Sequence, residues 1–139
     1  VIIIHVPGKP VAQSRPRFAR RGAHTVAYDA APSKDYKSWV KSCAVDVMAA
    51  TGQSIIGRDV PLSLVVDIEL ARPKGKPKRF TMPTSKPDCD NVLKGLQDAM
   101  ESIVYEADQQ IVKVTVQKQF SATPGVTITI EEFNEAPQA

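Results

Sequence analysis

The chain has 139 residues, enough for one domain with a real core, and its 42% hydrophobic and 24% charged residues exclude a disordered or fibrous protein. Its apolar runs fall far short of the ~20 residues that a membrane-crossing helix needs, so no membrane partner is expected. The net charge of +3 hides a segregation: residues 1–28 and 71–86 hold 11 cations and no acid, and the other 95 residues hold 7 cations against 15 acids.

Val1 to Val6 is a short β-branched run that predicts a strand, broken by Pro7-Gly8-Lys9-Pro10. Gln13 to Ala23 has no clear periodicity and is expected to be a basic arm. From Ser33, a plausible N-cap, Tyr36, Val40, Cys43 and Val47 recur at helical spacing, and Gly52 closes this helix. Leu62 to Leu70 alternates as a strand. Ala71 to Pro87 holds four prolines and six cations, which no regular element accommodates. A second helix is predicted from Asp90 to about Ile103. Val112 to Val116 and Val126 to Ile130 alternate as strands, and Thr123-Pro124-Gly125 between them predicts an antiparallel hairpin. The tail from Asn134 is expected to fray. The order predicts one α/β (α+β) domain over residues 1–139, a mixed four-stranded sheet with two helices packed on it.

The two all-cationic segments suggest a polyanion partner. Arg15, Arg17, Arg20 and Arg21 in the first, with Lys74, Lys76, Lys78 and Arg79 in the second, are the candidate phosphate contacts of such a polyanion, and two solvated flexible loops are the alternative. Such contacts position nucleic acid without reading its sequence. Cys43 and Cys89 have neither metal-ligand spacing nor a disulfide pattern, which suits two free thiols in a cytoplasmic protein.

The chemistry is concentrated in Lys86-Pro87-Asp88-Cys89-Asp90-Asn91-Val92-Leu93-Lys94. Pro87 favours an extended lead-in, where residues two apart point the same way, so Asp88 and Asp90 are expected to converge with Cys89 facing away. Carboxylates held that close repel unless a cation lies between them, and hard oxygen ligands suit Mg²⁺, with Mn²⁺ as a substitute. Capping and plain surface charge explain either aspartate alone. Lys94, one turn after Asp90, is placed to reach a phosphate at the ion, and Asp98 is expected to pair with Lys94 at i,i+4. Asn91 is a candidate brace, and Asp108, just ahead of a strand, is the best third carboxylate. Glu101 and Glu106 are expected to be solvated.

The string Asp88-x-Asp90-Asn91-x-x-Lys94-x-x-x-Asp98-Ala99, followed by Asp108-x-Gln110-Ile111, resembles the RusA-type Holliday junction resolvases. Pro7-Gly8-Lys9-Pro10 and Arg15-Pro16-Arg17-Phe18 add to the likeness, which covers nearly the whole chain in order. The resemblance implies a bacterial or phage homodimer that nicks opposing strands of four-way junctions with Mg²⁺. It implies Asp88, Asp90 and Asp108 as metal carboxylates and Lys94 as the catalytic or phosphate-contacting lysine. The family usually has two aspartates before x-Gln-[Val/Ile], where this chain has Ala107-Asp108. The expected reaction is therefore metal-assisted phosphodiester hydrolysis. One rival is a catalytically weakened branched-nucleic-acid binding module, with Ala107 marking lost activity. A second is a phosphotransferase or phosphatase for a small ester, for which the basic segments are too extensive.

Overall fold

A computed structural model describes residues 1–13, 17–22, 24–28, 31–75, 79 and 81–134. Strand β1 (Ile2–Pro7) opens the chain, followed by a short pair, β2 (Arg17–Arg21) and β3 (His24–Tyr28). Helix α1 (Ala31–Thr51), strand β4 (Leu62–Leu70), helix α2 (Cys89–Met100), a 3₁₀ turn (Asp108–Gln110), β5 (Ile111–Phe120) and β6 (Gly125–Glu132) complete it. The main sheet has four strands in the order β1-β6-β4-β5. It is mixed: β4 pairs parallel with β5 and antiparallel with β6, which pairs antiparallel with β1.

Alternation drives this sheet. Leu62, Leu64, Val66, Ile68 and Leu70 of β4 are buried, as are Val126, Ile128 and Ile130 of β6 and Ile2, Ile4 and Val6 of β1. Successive strand side chains point to opposite faces, so these residues line one side of the sheet. Tyr36, Val40, Cys43, Ala44 and Met48 of α1 and Val92, Leu96, Ala99 and Met100 of α2 join them in one continuous core. Trp39 donates its indole N–H to the Pro7 carbonyl at 2.8 Å, fastening α1 to the end of β1.

Four expectations are corrected. The basic arm is not irregular over its described part: β2 and β3 pair antiparallel, Arg20 opposite Thr25. Ser33 does not cap α1, which begins at Ala31; Pro32 suits the first turn, where its missing N–H costs nothing. Helix α2 ends at Met100, before Ile103, because Glu101 turns extended and Ser102 takes a φ of 72°, while Ile103 still packs half-buried on the core. Strands β5 and β6 form no hairpin with each other, since β4 lies between them and pairs with both. Alternation identifies both strands, but period says nothing about which strand is the neighbour. Residues 135–139 of the expected frayed tail lie outside the described residues.

The unit β4-α2-β5 positions the acidic residues. Because β4 and β5 are parallel, α2 must run back across the sheet. Its N-terminus therefore lies at the C-terminal ends of both strands, where open α/β sheets present their ligand sites. Its C-terminus lies at the opposite edge, where β5 begins.

Candidate active site

The lead-in stays extended only as far as Asp88, the N-cap of α2, at φ −76° and ψ 143°. Cys89 and Asp90 already belong to the helix, so the two aspartates are placed by a helix start rather than by strand alternation. Both are exposed, and Asp88 makes no capping hydrogen bond to the helix backbone. Asn91 touches both: its backbone N–H donates to Asp90 Oδ1 at 3.0 Å, and its amide makes a long 3.5 Å contact to Asp88 Oδ2. The positive end of the α2 dipole adds to the attraction for negative charge there.

The segment ahead of Asp88 is tied to β5. Lys118 Nζ donates to the carbonyl oxygens of Ser85 at 2.8 Å and Pro87 at 3.1 Å. Sequence reasoning missed this lysine, because in an alternating strand it reads as one more solvated cation. On the other side, the Gln13 N–H donates to the Asn91 carbonyl at 3.1 Å, stitching the start of the arm to α2. An open cleft of about 850 Å³ results, lined by Lys9, Pro10, Gln13, Lys86, Asp88 and Asp90 among others. The Gln13 Oε1 atom is buried there without a hydrogen-bond partner.

Lys94 is exposed one turn beyond Asp90, as expected. Asp98 does not orient it. Its carboxylate lies 3.9 Å from Lys37 of α1, because α1 packs beside α2 and offers a cation on that side. Arg20, Lys74 and Arg79 of the basic segments are exposed. Arg17 and Arg21 lie on β2. Arg15, Lys76 and Lys78 fall outside the described residues.

Asp108 lies elsewhere. Its Oδ1 accepts a 3.0 Å hydrogen bond from the Tyr105 hydroxyl, which also lies 3.1 Å from the Gln97 carbonyl. Its backbone N–H donates to Glu101 Oε2 at 2.8 Å. Gln97 is seven residues beyond Asp90, about 10 Å along the helix axis at 1.5 Å per residue. Among the described residues no three acidic, histidine or cysteine groups stand close enough to share an ion. Burial raises the Asp108 carboxyl above the usual carboxylate range; the Tyr105 hydrogen bond opposes this, and Glu101 and Asp98 add to it. Tyr105 is itself pushed above the usual phenol range, by burial first and then by the Asp108 charge. Glu101 is thus not merely solvated, nor is Glu106, whose carboxylate accepts the Arg58 N–H at 2.9 Å.

Ala107 and Gln110 build the support beneath Asp108. Gln110 is buried, accepts the Ala107 N–H at 3.0 Å and donates to the carbonyls of Gly57 at 2.8 Å and Val60 at 3.0 Å. The Ala107 methyl is buried.

Two exposed carboxylates at the C-terminal ends of parallel strands thus open on a cleft that Lys9 and Lys86 also line. Residues 7–131 match the family described as Endodeoxyribonuclease RusA, and the chain belongs to that family. It is also similar to the uncharacterized protein YqaN of Bacillus subtilis (strain 168), with 35% identity over 141 residues that cover 93% of this chain and 94% of that protein. Endonuclease action on Holliday junction DNA is the activity that this membership supports. No helix among the described residues is long and apolar enough to cross a membrane.

Proposed function

We propose that the protein is a Mg²⁺-dependent endonuclease that resolves four-way DNA junctions by paired, symmetric cuts. The observation that carries this reading is the Asp88–Asp90 pair, exposed at the start of α2 in a cleft with Lys9 and Lys86. The donor set suits the ion. Mg²⁺ is usually held by one or two carboxylates together with waters and substrate phosphate, so the Asp88 and Asp90 donors fit it within one chain. Bound there, the ion would supply Lewis-acid polarisation of the scissile phosphate and a more acidic water. The chain's own residues do the rest. Asp88 and Asp90 would hold that ion at the helix start. Lys94, exposed one turn along, offsets negative charge that develops on the phosphate. Arg20, Lys74 and Arg79 hold flanking phosphates and make binding salt-dependent.

Asp108 enters the proposal through a homodimer. Within one chain it sits by the first residues of β5, and Asp88 and Asp90 sit by the last ones. Strand β5 is an edge strand, and Val112 and Val114 on it are exposed at 56% and 40%. An unpaired edge with apolar side chains is a template for another strand. Antiparallel pairing of β5 with the same strand of a second copy sets the beginning of one against the end of the other. Each Asp108 would then face the other copy's carboxylate pair, and the two-fold axis would generate two equal sites. Two equal sites are what symmetric nicking of a junction requires.

The direct test compares an end-labelled four-way junction with a linear duplex of matched sequence, each in Mg²⁺ and in EDTA. Paired nicks in the junction alone, and only in Mg²⁺, are expected. Tight junction binding that is indifferent to Mg²⁺, with no product, would instead identify a binding module and make Ala107→Asp the next variant.

A further inference from the structure

Beside the carboxylate cleft lies a second cavity, of about 440 Å³, walled by Leu70, Arg72, Pro73, Pro83, Pro87 and Phe120. We propose that it receives one unstacked nucleobase of the strand whose phosphate lies at Asp88 and Asp90. The proposal rests on the endonuclease reading above and adds a base-holding subsite to it.

Three features of the cavity favour this occupant. The first is its surface. Prolines and a phenylalanine give flat apolar walls, and the Arg72 guanidinium is held 4.4 Å from the centre of the Phe120 ring. Aromatic rings and guanidinium planes are the groups on which bases stack, and every base has a face to offer them. The second is charge. Lys9, Arg72 and Lys86 line the cavity, and among the described residues no acid does. An apolar peptide would gain nothing from three cations, whereas a base arrives attached to phosphates. The third is position. Lys9, Pro10, Lys86 and Pro87 line this cavity and the carboxylate cleft alike. Lys86 and Asp88 are two residues apart, at most about 7 Å. That span corresponds to one or two nucleotides along a strand.

A base that packs on these walls takes protein surface in place of its neighbours in the strand, so it must leave its stack. Unstacking costs least where pairing is already interrupted. At the branch point of a junction the cost is partly met by the DNA itself, and in a linear duplex it is met in full. The cavity therefore provides a physical reason for preferring branched DNA over linear.

The test uses four-way junctions carrying 2-aminopurine at successive positions around the cut, with Ca²⁺ in place of Mg²⁺ so that the strand stays intact. Binding is expected to brighten the probe at one position within two nucleotides of the scissile phosphate. Arg72→Ala and Phe120→Ala are expected to quench that signal and to reduce the preference for junction over linear duplex about tenfold. Arg72 is exposed, so its variant tests the cavity even if Phe120→Ala folds poorly. A junction that is bound and cut while the probe stays dark at every position would overturn the subsite and leave the endonuclease standing. A signal that persists in Arg72→Ala would do the same. A junction neither bound nor cut would overturn both readings.

Discussion

Lys118 Nζ donates to the Pro87 carbonyl at 3.1 Å, which ties the end of β5 to the residue just ahead of Asp88. A second bond, to Ser85, makes the lysine a two-point clamp on a segment between irregular chain and helix. Charge-assisted hydrogen bonds of this kind contribute about 1.5–3 kcal/mol each. Lys118→Met keeps the apolar stem and removes the clamp. The Mg²⁺ concentration for half-maximal cutting is expected to rise about tenfold, the scale of lost support behind metal ligands. Junction affinity should change little. An unchanged Mg²⁺ requirement would show that the prolines hold the segment unaided.

Asp88 and Asp90 separate catalysis from binding. Neither has a cationic partner among the described residues, so each can be replaced by asparagine without stranding a buried charge. Losing either is expected to slow junction cutting at least about a hundredfold, since even a supporting residue behind a metal ligand costs 10 to 100-fold. Affinity for the uncut junction should hold or improve, because a negative charge beside phosphates has gone. Normal cutting by Asp90→Asn, measured in single turnover, would remove the carboxylate pair from the mechanism.

Gln110 is the most fully used polar side chain near the site, accepting one hydrogen bond and donating two. Gln110→Ala leaves the buried Ala107 N–H and the Val60 carbonyl without their side-chain partner, while the Gly57 carbonyl keeps the Val60 N–H at 3.1 Å. At about 1 kcal/mol per bond, the expected loss is about 2–3 kcal/mol of stability, read from equilibrium urea unfolding. An unchanged midpoint and slope would mean that water replaces all three bonds.

Asp108 carries a pH signature. Its folded carboxyl titrates above the unfolded value of about 3.9, so between those values the folded state binds more protons and stability falls as pH rises. Asp108→Asn removes that dependence and keeps an oxygen for the Tyr105 hydroxyl. The variant should melt slightly above the parent at pH 7, and the two should converge below about pH 4. A variant that melts lower at pH 7 would show that the bond from Tyr105 to the charged carboxylate outweighs the burial cost.

The legible part of this protein is what period and local chemistry encode. Alternation in Leu62–Leu70 and helical spacing from Tyr36 to Val47 place the strands and helices, and the Asp88 to Lys94 string locates the carboxylate pair. The illegible part depends on neighbours in space. Asp98 pairs with Lys37, which no local spacing announces. Lys118 clamps a segment more than 30 residues earlier in the chain. The hairpin expected after Phe120 fails because β4 claims both partners, and Arg17–Tyr28 hides a strand pair behind cations with no alternation to show it. Asp108 reads in sequence as a near neighbour of Asp90 because both flank α2. A crossover helix separates its two ends by its whole length.

That separation gives the proposed dimer a sharp test. Take two chains, one carrying Asp88→Asn and the other Asp108→Asn, each expected to be inactive alone. If each site combines Asp88 and Asp90 of one copy with the other copy's Asp108, a mixed dimer holds one doubly damaged site and one intact site. Unfolding and refolding the two together should then restore cutting, and only one strand of each junction should be nicked by a mixed dimer. If each site belongs wholly to one chain, both chains stay damaged and mixing restores nothing. The readout is single-strand against paired nicks in a supercoiled cruciform plasmid, where one nick relaxes the circle and two opposed nicks linearise it. The expected product is the relaxed circle, appearing only in the mixture. Silence in the mixture, with each parent stretch of β5 intact and dimers present by light scattering, would return Asp108 to a role within its own chain.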